Sequence, residues 1–178
     1  MVRITAGRFR GRRIAVPRGV RPTTEKVRKA AFDILGPSVA GARVLDACAG
    51  SGAYGLEALS RGAAHATFVE ADARVGRILS RSIESLGAGA SARVESRSVA
   101  AYAALSGGGA SSARFDLIFH DPPFEDASFE DVPALLGLLA PGGTLVHERG
   151  DDLLPPDGAP AAADRRRYGT TRLLFFRV

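Results

Sequence analysis

The stretch "VLDACAGSGAYG", residues 44–55, constrains this chain more than any other. An apolar, β-prone run turns directly into Gly50, Gly52 and Gly55, spaced G-x-G-x-x-G, and then into a helix-forming segment. Glycines there allow a tight turn and a close approach of backbone to a ligand. Glu70 closes the next apolar run, placing an acid where ribose hydroxyls are commonly held. A strand–loop–helix–strand unit with this loop points to a nucleotide-like ligand at the carboxyl ends of parallel strands.

The rest of the chain agrees. From residue 42, strands "ARVLDA", "AHATFVE", "SARVES", "RFDLIFHD" and "GGTLVHERG" alternate with helical segments. The helices are "GAYGLEALSR", "DARVGRILSRSIESLG", "VAAYAAL" and "FEDVPALLGLLA". Val75, Ile78, Leu79, Ile83 and Leu86 recur at helical spacing, and Pro133 fits a first turn. "SGGGASSA" reads as a flexible loop and "DDLLPPDGAPAAAD" as a surface loop, while "RRRYGTTRLLFFRV" reads as a closing hairpin around Gly169. Such alternation predicts an α/β fold with a doubly wound, mostly parallel sheet. With the closing hairpin it has seven strands.

Upstream, "VRITAGRFRGRRIAVPR" predicts a small hairpin around Gly7 and Gly11. Then Pro22, Thr23 and Thr24 open a helix with Val27, Ala30, Ala31, Ile34 and Leu35 on its apolar face, ended by Gly36-Pro37. Residues 1–38 thus form a basic extension, and residues 39–178 the main domain. The first 30 residues hold ten Lys or Arg and one acid, Glu25, giving +9, whereas the remainder carries −4. Because Ile4, Phe9, Ile14 and Val16 interleave with the arginines, the segment folds, and its charge is the footprint of a nucleic-acid contact.

Composition excludes other classes. The chain has 178 residues, enough for one sizeable core, and no apolar run of membrane-spanning length. With no signal-like start, a cytoplasmic protein is expected. The single cysteine, Cys48, rules out an internal disulfide, and His65, His120 and His147 lack metal-ligand spacing, so no metal is expected. Nothing suggests an obligate interface, and a monomer is expected.

Two cofactors fit the glycine loop. NAD would place its pyrophosphate on the helix N-terminus. S-adenosylmethionine would use Glu70 for its ribose and Asp46, at the end of the first strand, for its ammonium. The segment "FDLIFHDPPFED" favours the second. Asp121 ends the fourth strand, beside the first. An exocyclic amine on a planar group is a poor nucleophile, and two fixed acceptors would draw its hydrogens. Asp121 supplies one and the Pro122 carbonyl the other, Pro122 and Pro123 hold the segment rigid, and Phe124 offers a face for stacking.

"GRFRGRRIAVP", "RPTTEKVRKAAFDIL", "VLDACAGSGAYGLEALSRGAAHATFVE", "FDLIFHDPPF" and "YGTTRLLFF" together resemble the RsmD family of class I S-adenosylmethionine-dependent methyltransferases. The resemblance covers nearly the whole chain. It implies methyl transfer to N2 of a guanine in 16S ribosomal RNA, met in a 30S subunit or an assembly intermediate. It places Asp46, Ala49, Gly50, Ser51, Gly52, Glu70 and Ser98 at the cofactor, and Asp121, Pro122, Pro123 and Phe124 at the base. It sets Arg10, Arg12, Arg13 and Arg21 on RNA phosphates, with Thr23 and Thr24 near the cofactor mouth. The chain departs from the family at Ala47-Cys48, where a bulky pair is usual, at Ser98, where many class I enzymes carry an acid, and at Thr170, where Asp is common. Read without the resemblance, the residues also admit an adenine-N6 or glutamine-amide methyltransferase, an NAD-dependent oxidoreductase, or a non-catalytic RNA-binding module.

Overall fold

The computed structural model describes residues 1–20, 23–106, 114–123, 129–150 and 159–178. Arg21, Phe124, the expected "SGGGASSA" loop apart from Ser106, and 151–158 of the expected surface loop lie outside the described residues.

The N-terminal hairpin is shorter than its sequence predicts. Strands β1 (Val2–Arg3) and β2 (Arg13–Ile14) pair over two residues each. Ile4 and Gly11 N–H still bond across the hairpin, to the Arg12 and Ile4 carbonyls at 2.9 Å each, but the donors at its turn go elsewhere. Thr5 and Ala6 N–H donate to the Glu57 carboxylate at 2.8 and 3.1 Å, Arg8 N–H to the Ser60 carbonyl at 2.8 Å, and Phe9 N–H to the Ser60 hydroxyl at 2.9 Å. Gly7, at φ +77°, lies so close that a Cβ would stand 1.7 Å from the Ser60 carbonyl oxygen.

Helix α1 (Glu25–Leu35) starts at Thr24, whose hydroxyl accepts from Val27 N–H at 3.3 Å, and ends at Gly36. Its buried face is Val27, Arg28, Ala31, Phe32 and Leu35, rather than the expected set with Ala30 and Ile34. Arg28 is inside because it has a partner there. Its Nε lies 3.4 Å from Glu57 Oε2, both side chains being almost wholly enclosed, and its guanidinium also donates to the Arg3 carbonyl at 2.6 Å. A buried charge is tolerated when it is paired and hydrogen-bonded.

The main domain follows as β3 (Arg43–Ala47), α2 (Ala53–Ser60), β4 (His65–Val69), α3 (Ala73–Ser85), β5 (Ala92–Glu95), α4 (Val99–Ser106), β6 (Phe115–His120), α5 (Asp131–Leu136), β7 (Leu139–Gly150), β8 (Asp164–Tyr168) and β9 (Thr171–Arg177). The seven strands lie in the order β5-β4-β3-β6-β7-β9-β8. The first five are parallel, and β9 and β8 are antiparallel, the mostly parallel sheet with a closing hairpin that the sequence predicts. This is the Rossmann-like fold of class I methyltransferases.

In the main domain, the largest boundary differences from the sequence expectation lie at β7 and α5. β7 begins at Leu139, not residue 142, because Leu139 pairs with Phe115 before the register shifts towards Leu117–Thr144. α5 is correspondingly short. In α3, Ile78 is half-buried while Gly76 and Ser82 join the buried face.

The sheet has a packed layer on each face. Val44, Leu117, Phe119, Val146, Leu173 and Phe175 share one cluster with α2, α3 and the N-terminal Ile4, Phe9 and Ile14. Leu45, Ile118, Leu145, Leu174 and Phe176 face α4 and α5. The extension is therefore part of the main core. Among the described residues, no helix is long and apolar enough to cross a membrane.

Candidate active site

A cavity of about 930 Å³ opens along the carboxyl ends of β4, β3, β6 and β7. Its floor is the glycine loop. Gly52 caps α2 at φ +75°, and a Cβ there would stand 2.4 Å from Leu79 Cδ1. Gly55 packs equally closely on Phe68. These two glycines let α2 sit against the sheet, while Gly50 and Ser51 line the cavity. Cys48, at φ +62°, is the one non-glycine residue at positive φ among those described. Burial and the surrounding carboxylates push its thiol up to about 12, so it is no nucleophile at neutral pH.

Each of four neighbouring parallel strands brings one acid to this cavity: Glu70 after β4, Asp46 on β3, Asp121 after β6 and Glu148 on β7. Asp46 is wholly enclosed. Burial raises its carboxyl well above the usual range, the Gly55 N–H at 2.8 Å pulls it down, and Asp121 and Glu70 push it up. Glu70 accepts from Gly50 N–H at 2.9 Å and Asp72 N–H at 2.8 Å, which locks the glycine loop to the end of β4. A carboxylate has about four acceptor sites, so ribose hydroxyls can still reach it.

Asp121, Pro122 and Pro123 line the cavity beside Asp46. The Thr23 hydroxyl, from the turn that opens α1, donates to Asp121 Oδ2. Thr24 lines the mouth too. Ser98 faces the cavity, but its hydroxyl also accepts from Ala101 N–H at 3.2 Å and so caps α4. Ala49 is part of the wall; Ala47 is buried in the core beneath, and Thr170 sits exposed in the β8–β9 turn.

Of the expected RNA-contacting arginines, Arg10, Arg12 and Arg13 are described, and all three are exposed and outside the cavity. Arg10 lines a separate depression with Arg3, Lys26 and Lys29, Arg12 donates to the Ser85 carbonyl at 2.8 Å, and Arg13 extends from β2. Among the described residues of the arm, Arg18 is the basic one that lines the cavity.

Sequence reasoning passed over Glu148 and Tyr54. The Tyr54 hydroxyl donates to Glu148 Oε2 at 2.7 Å, and its ring stacks on Phe119 at 4.7 Å between centroids. Burial, then the Glu148 and Asp121 charges, raise the Tyr54 phenol well above its ordinary value. An acid at the carboxyl end of a parallel strand was the available signal for Glu148.

Comparison with known proteins agrees with this geometry. The family model described as "Conserved hypothetical protein 95" matches residues 2–177. The chain is 40% identical to ribosomal RNA small subunit methyltransferase D of Escherichia coli K12 over 83% of this chain and 71% of that protein. It belongs to the ribosomal RNA small subunit methyltransferase D family. A solved structure of a hypothetical protein of Thermus thermophilus is 36% identical and superposes over the whole of both chains with a TM-score of 0.87. The fold alone extends to an RNA methyltransferase of Salinibacter ruber solved with S-adenosylhomocysteine, 14% identical, TM-score 0.67, over 88% of this chain and 93% of that one. Family membership resolves the choice between cofactor chemistries: the chain is a methyltransferase and not a nicotinamide oxidoreductase.

Proposed function

We propose that this chain transfers the methyl group of S-adenosylmethionine to the exocyclic N2 amine of a guanine in 16S ribosomal RNA, met within a 30S subunit or an assembly intermediate. The observation that carries the reading is Asp121-Pro122-Pro123 on the wall of the glycine-loop cavity, one strand from Asp46.

The cavity suits a cationic nucleoside. Asp46 is a buried carboxyl among other acids, and an ammonium placed there would relieve the cost of its charge. Glu70 stands one strand further along the sheet, where a ribose would lie, and the glycine loop leaves room for the ligand between the two acids. When bound, S-adenosylmethionine supplies a methyl carbon made electrophilic by the adjoining sulfonium.

The residues do the rest by positioning and charge. Asp121 accepts one N2–H of guanine and the Pro122 carbonyl the other, which turns the nitrogen lone pair towards the methyl carbon. Positive charge grows on N2 as the N–C bond forms, and the Asp121 carboxylate stabilises it. The amine then sheds a proton from an already cationic nitrogen, so no strong base is required. Phe124, next in sequence, stacks on the base. A stacked or paired guanine cannot reach Asp121, so the nucleotide must be unpaired or flipped. The basic arm, with Arg10, Arg12, Arg13 and Arg21, holds phosphates.

Asp121→Ala tests this reading. Methyl transfer should fall by about two to three orders of magnitude, the scale for losing one transition-state electrostatic partner. Affinity for S-adenosylhomocysteine should stay within a few-fold. A loss of activity under tenfold would remove Asp121 from its role.

A further inference from the structure

Glu148 lines the cavity next to Asp121. β6 and β7 run parallel with His120 opposite His147, so Asp121 and Glu148, each one residue on, are neighbours at the ends of adjacent strands. Residues at matching positions of parallel strands point to the same face, and adjacent strands lie about 4.8 Å apart. Both residues line the cavity. Glu148 is buried, and the Tyr54 hydroxyl holds its Oε2 at 2.7 Å, with the Tyr54 ring fixed against Phe119.

A buried tyrosine hydroxyl does not need a carboxylate; a neutral carbonyl or hydroxyl would satisfy it at a smaller desolvation cost. Two acids side by side on the cavity lining suit a ligand that presents adjacent hydrogen-bond donors. Guanine is such a ligand. The carbon bearing its amine is flanked by N1–H, so the edge offers adjacent donors at N1 and N2. In adenine and cytosine, the ring nitrogen next to the amine-bearing carbon is an acceptor. In a glutamine amide the neighbour is the carbonyl oxygen, also an acceptor. A carboxylate next to Asp121 attracts the first and repels the others.

We infer that Glu148 is the guanine-selecting residue of this site, its carboxylate accepting N1–H while Asp121 and Pro122 hold the N2 amine, and that Tyr54 is the positioning residue that fixes it. This rests on the guanine-N2 reading above.

The probe is 2,6-diaminopurine, which keeps the N2 amine but presents N1 as an acceptor. Small-subunit RNA is ligated to carry guanine or diaminopurine at the nucleotide that the wild-type chain methylates, and is reconstituted into subunits. kcat/KM for N2 methylation is measured on each. The wild type should prefer guanine by at least about a hundredfold, since a site built to hydrogen-bond a substrate N–H can reject the analogue that lacks it by up to about 10^4–10^5-fold. Glu148→Gln should cut that ratio by tenfold or more, because the amide can donate to N1. Tyr54→Phe, which leaves the acid in place but unheld, should cut it by a smaller factor. Unchanged S-adenosylhomocysteine affinity in both variants shows that the fold is intact; a residue that only supports the fold would lower both rates together and leave the ratio alone. A ratio within twofold of wild type in Glu148→Gln overturns the assignment while leaving the guanine-N2 reading in place. Failure of the wild type to methylate guanine at N2 overturns that reading, and the assignment with it.

Discussion

The Thr23 hydroxyl donates to Asp121 Oδ2 across 98 residues of chain. Thr23 is buried and sits one residue before the cap of α1, so the basic extension and the end of β6 meet at the Asp121 carboxylate. The carboxylate is thereby oriented before substrate arrives. The segment expected to hold RNA is mechanically joined to it.

Thr23→Val keeps the shape and removes the donor. Its kcat should fall by about tenfold to a hundredfold with little change in S-adenosylhomocysteine affinity, since misplacing a reacting group by about 1 Å costs on that order. Thr23→Ser should restore most of the rate. Single-turnover methylation separates the two, and a Val variant as fast as wild type would show that Asp121 needs no such anchor.

Glu57 ties the extension down. It receives Thr5 and Ala6 N–H, the Thr5 hydroxyl at 2.6 Å, Arg61 Nε at 2.9 Å and the buried Arg28. Glu57→Ala strands a guanidinium in the core and should cost about 3–5 kcal/mol in denaturant unfolding. Arg28→Met with Glu57→Leu removes both charges and should recover part of that loss. A Glu57→Ala cost below about 1 kcal/mol would mean that the network relaxes onto water.

Acid should destabilise the fold through the His120–His147 pair. Their Nδ1 atoms lie 3.1 Å apart, and burial pushes His120 down to about 3 and His147 to about 4. Below pH ~6.5 the unfolded chain takes up protons that these folded side chains refuse, so their contribution, complete above that pH, is lost towards pH ~4. The slope is about 1.4 kcal/mol per pH unit for each proton. Asp46 acts with opposite sign: its raised carboxyl takes up a proton in the folded state first, which favours the folded chain as pH falls. Asp46→Asn should therefore steepen the acid loss. Urea unfolding between about pH 4.5 and 7 reads both, and a flat profile in Asp46→Asn would argue against neutral buried histidines.

The arm should show itself in salt. Replacing Arg10, Arg12 and Arg13 with Ala should weaken binding of small-subunit RNA. The slope of log K against log[salt] should become shallower by about 0.7–0.9 for each phosphate that the arm no longer neutralises. An unchanged slope would place the RNA elsewhere.

The parallel core and the glycine- and acid-lined cavity at its carboxyl end were readable because their signals are local. Apolar runs on β3, β4 and β6, and glycines within a dozen residues of Asp46, carry their meaning in short stretches. What escaped depends on partners far along the chain. Arg28 looks like a surface residue until Glu57 is brought beside it. The hairpin looked longer because nothing nearby in sequence says that Thr5 to Phe9 will bond to α2. Glu148 gains its role only from strand register, which sets it beside Asp121.

Methyl transfer to guanine N2 in small-subunit RNA can be read directly. The direct measurement incubates the purified chain with radiolabelled S-adenosylmethionine and small ribosomal subunits from cells lacking the enzyme, then analyses nucleosides. Label is expected in N2-methylguanosine, abolished by Asp121→Ala. Label in another nucleoside, or none while S-adenosylhomocysteine binds tightly, would contradict guanine-N2 methyl transfer.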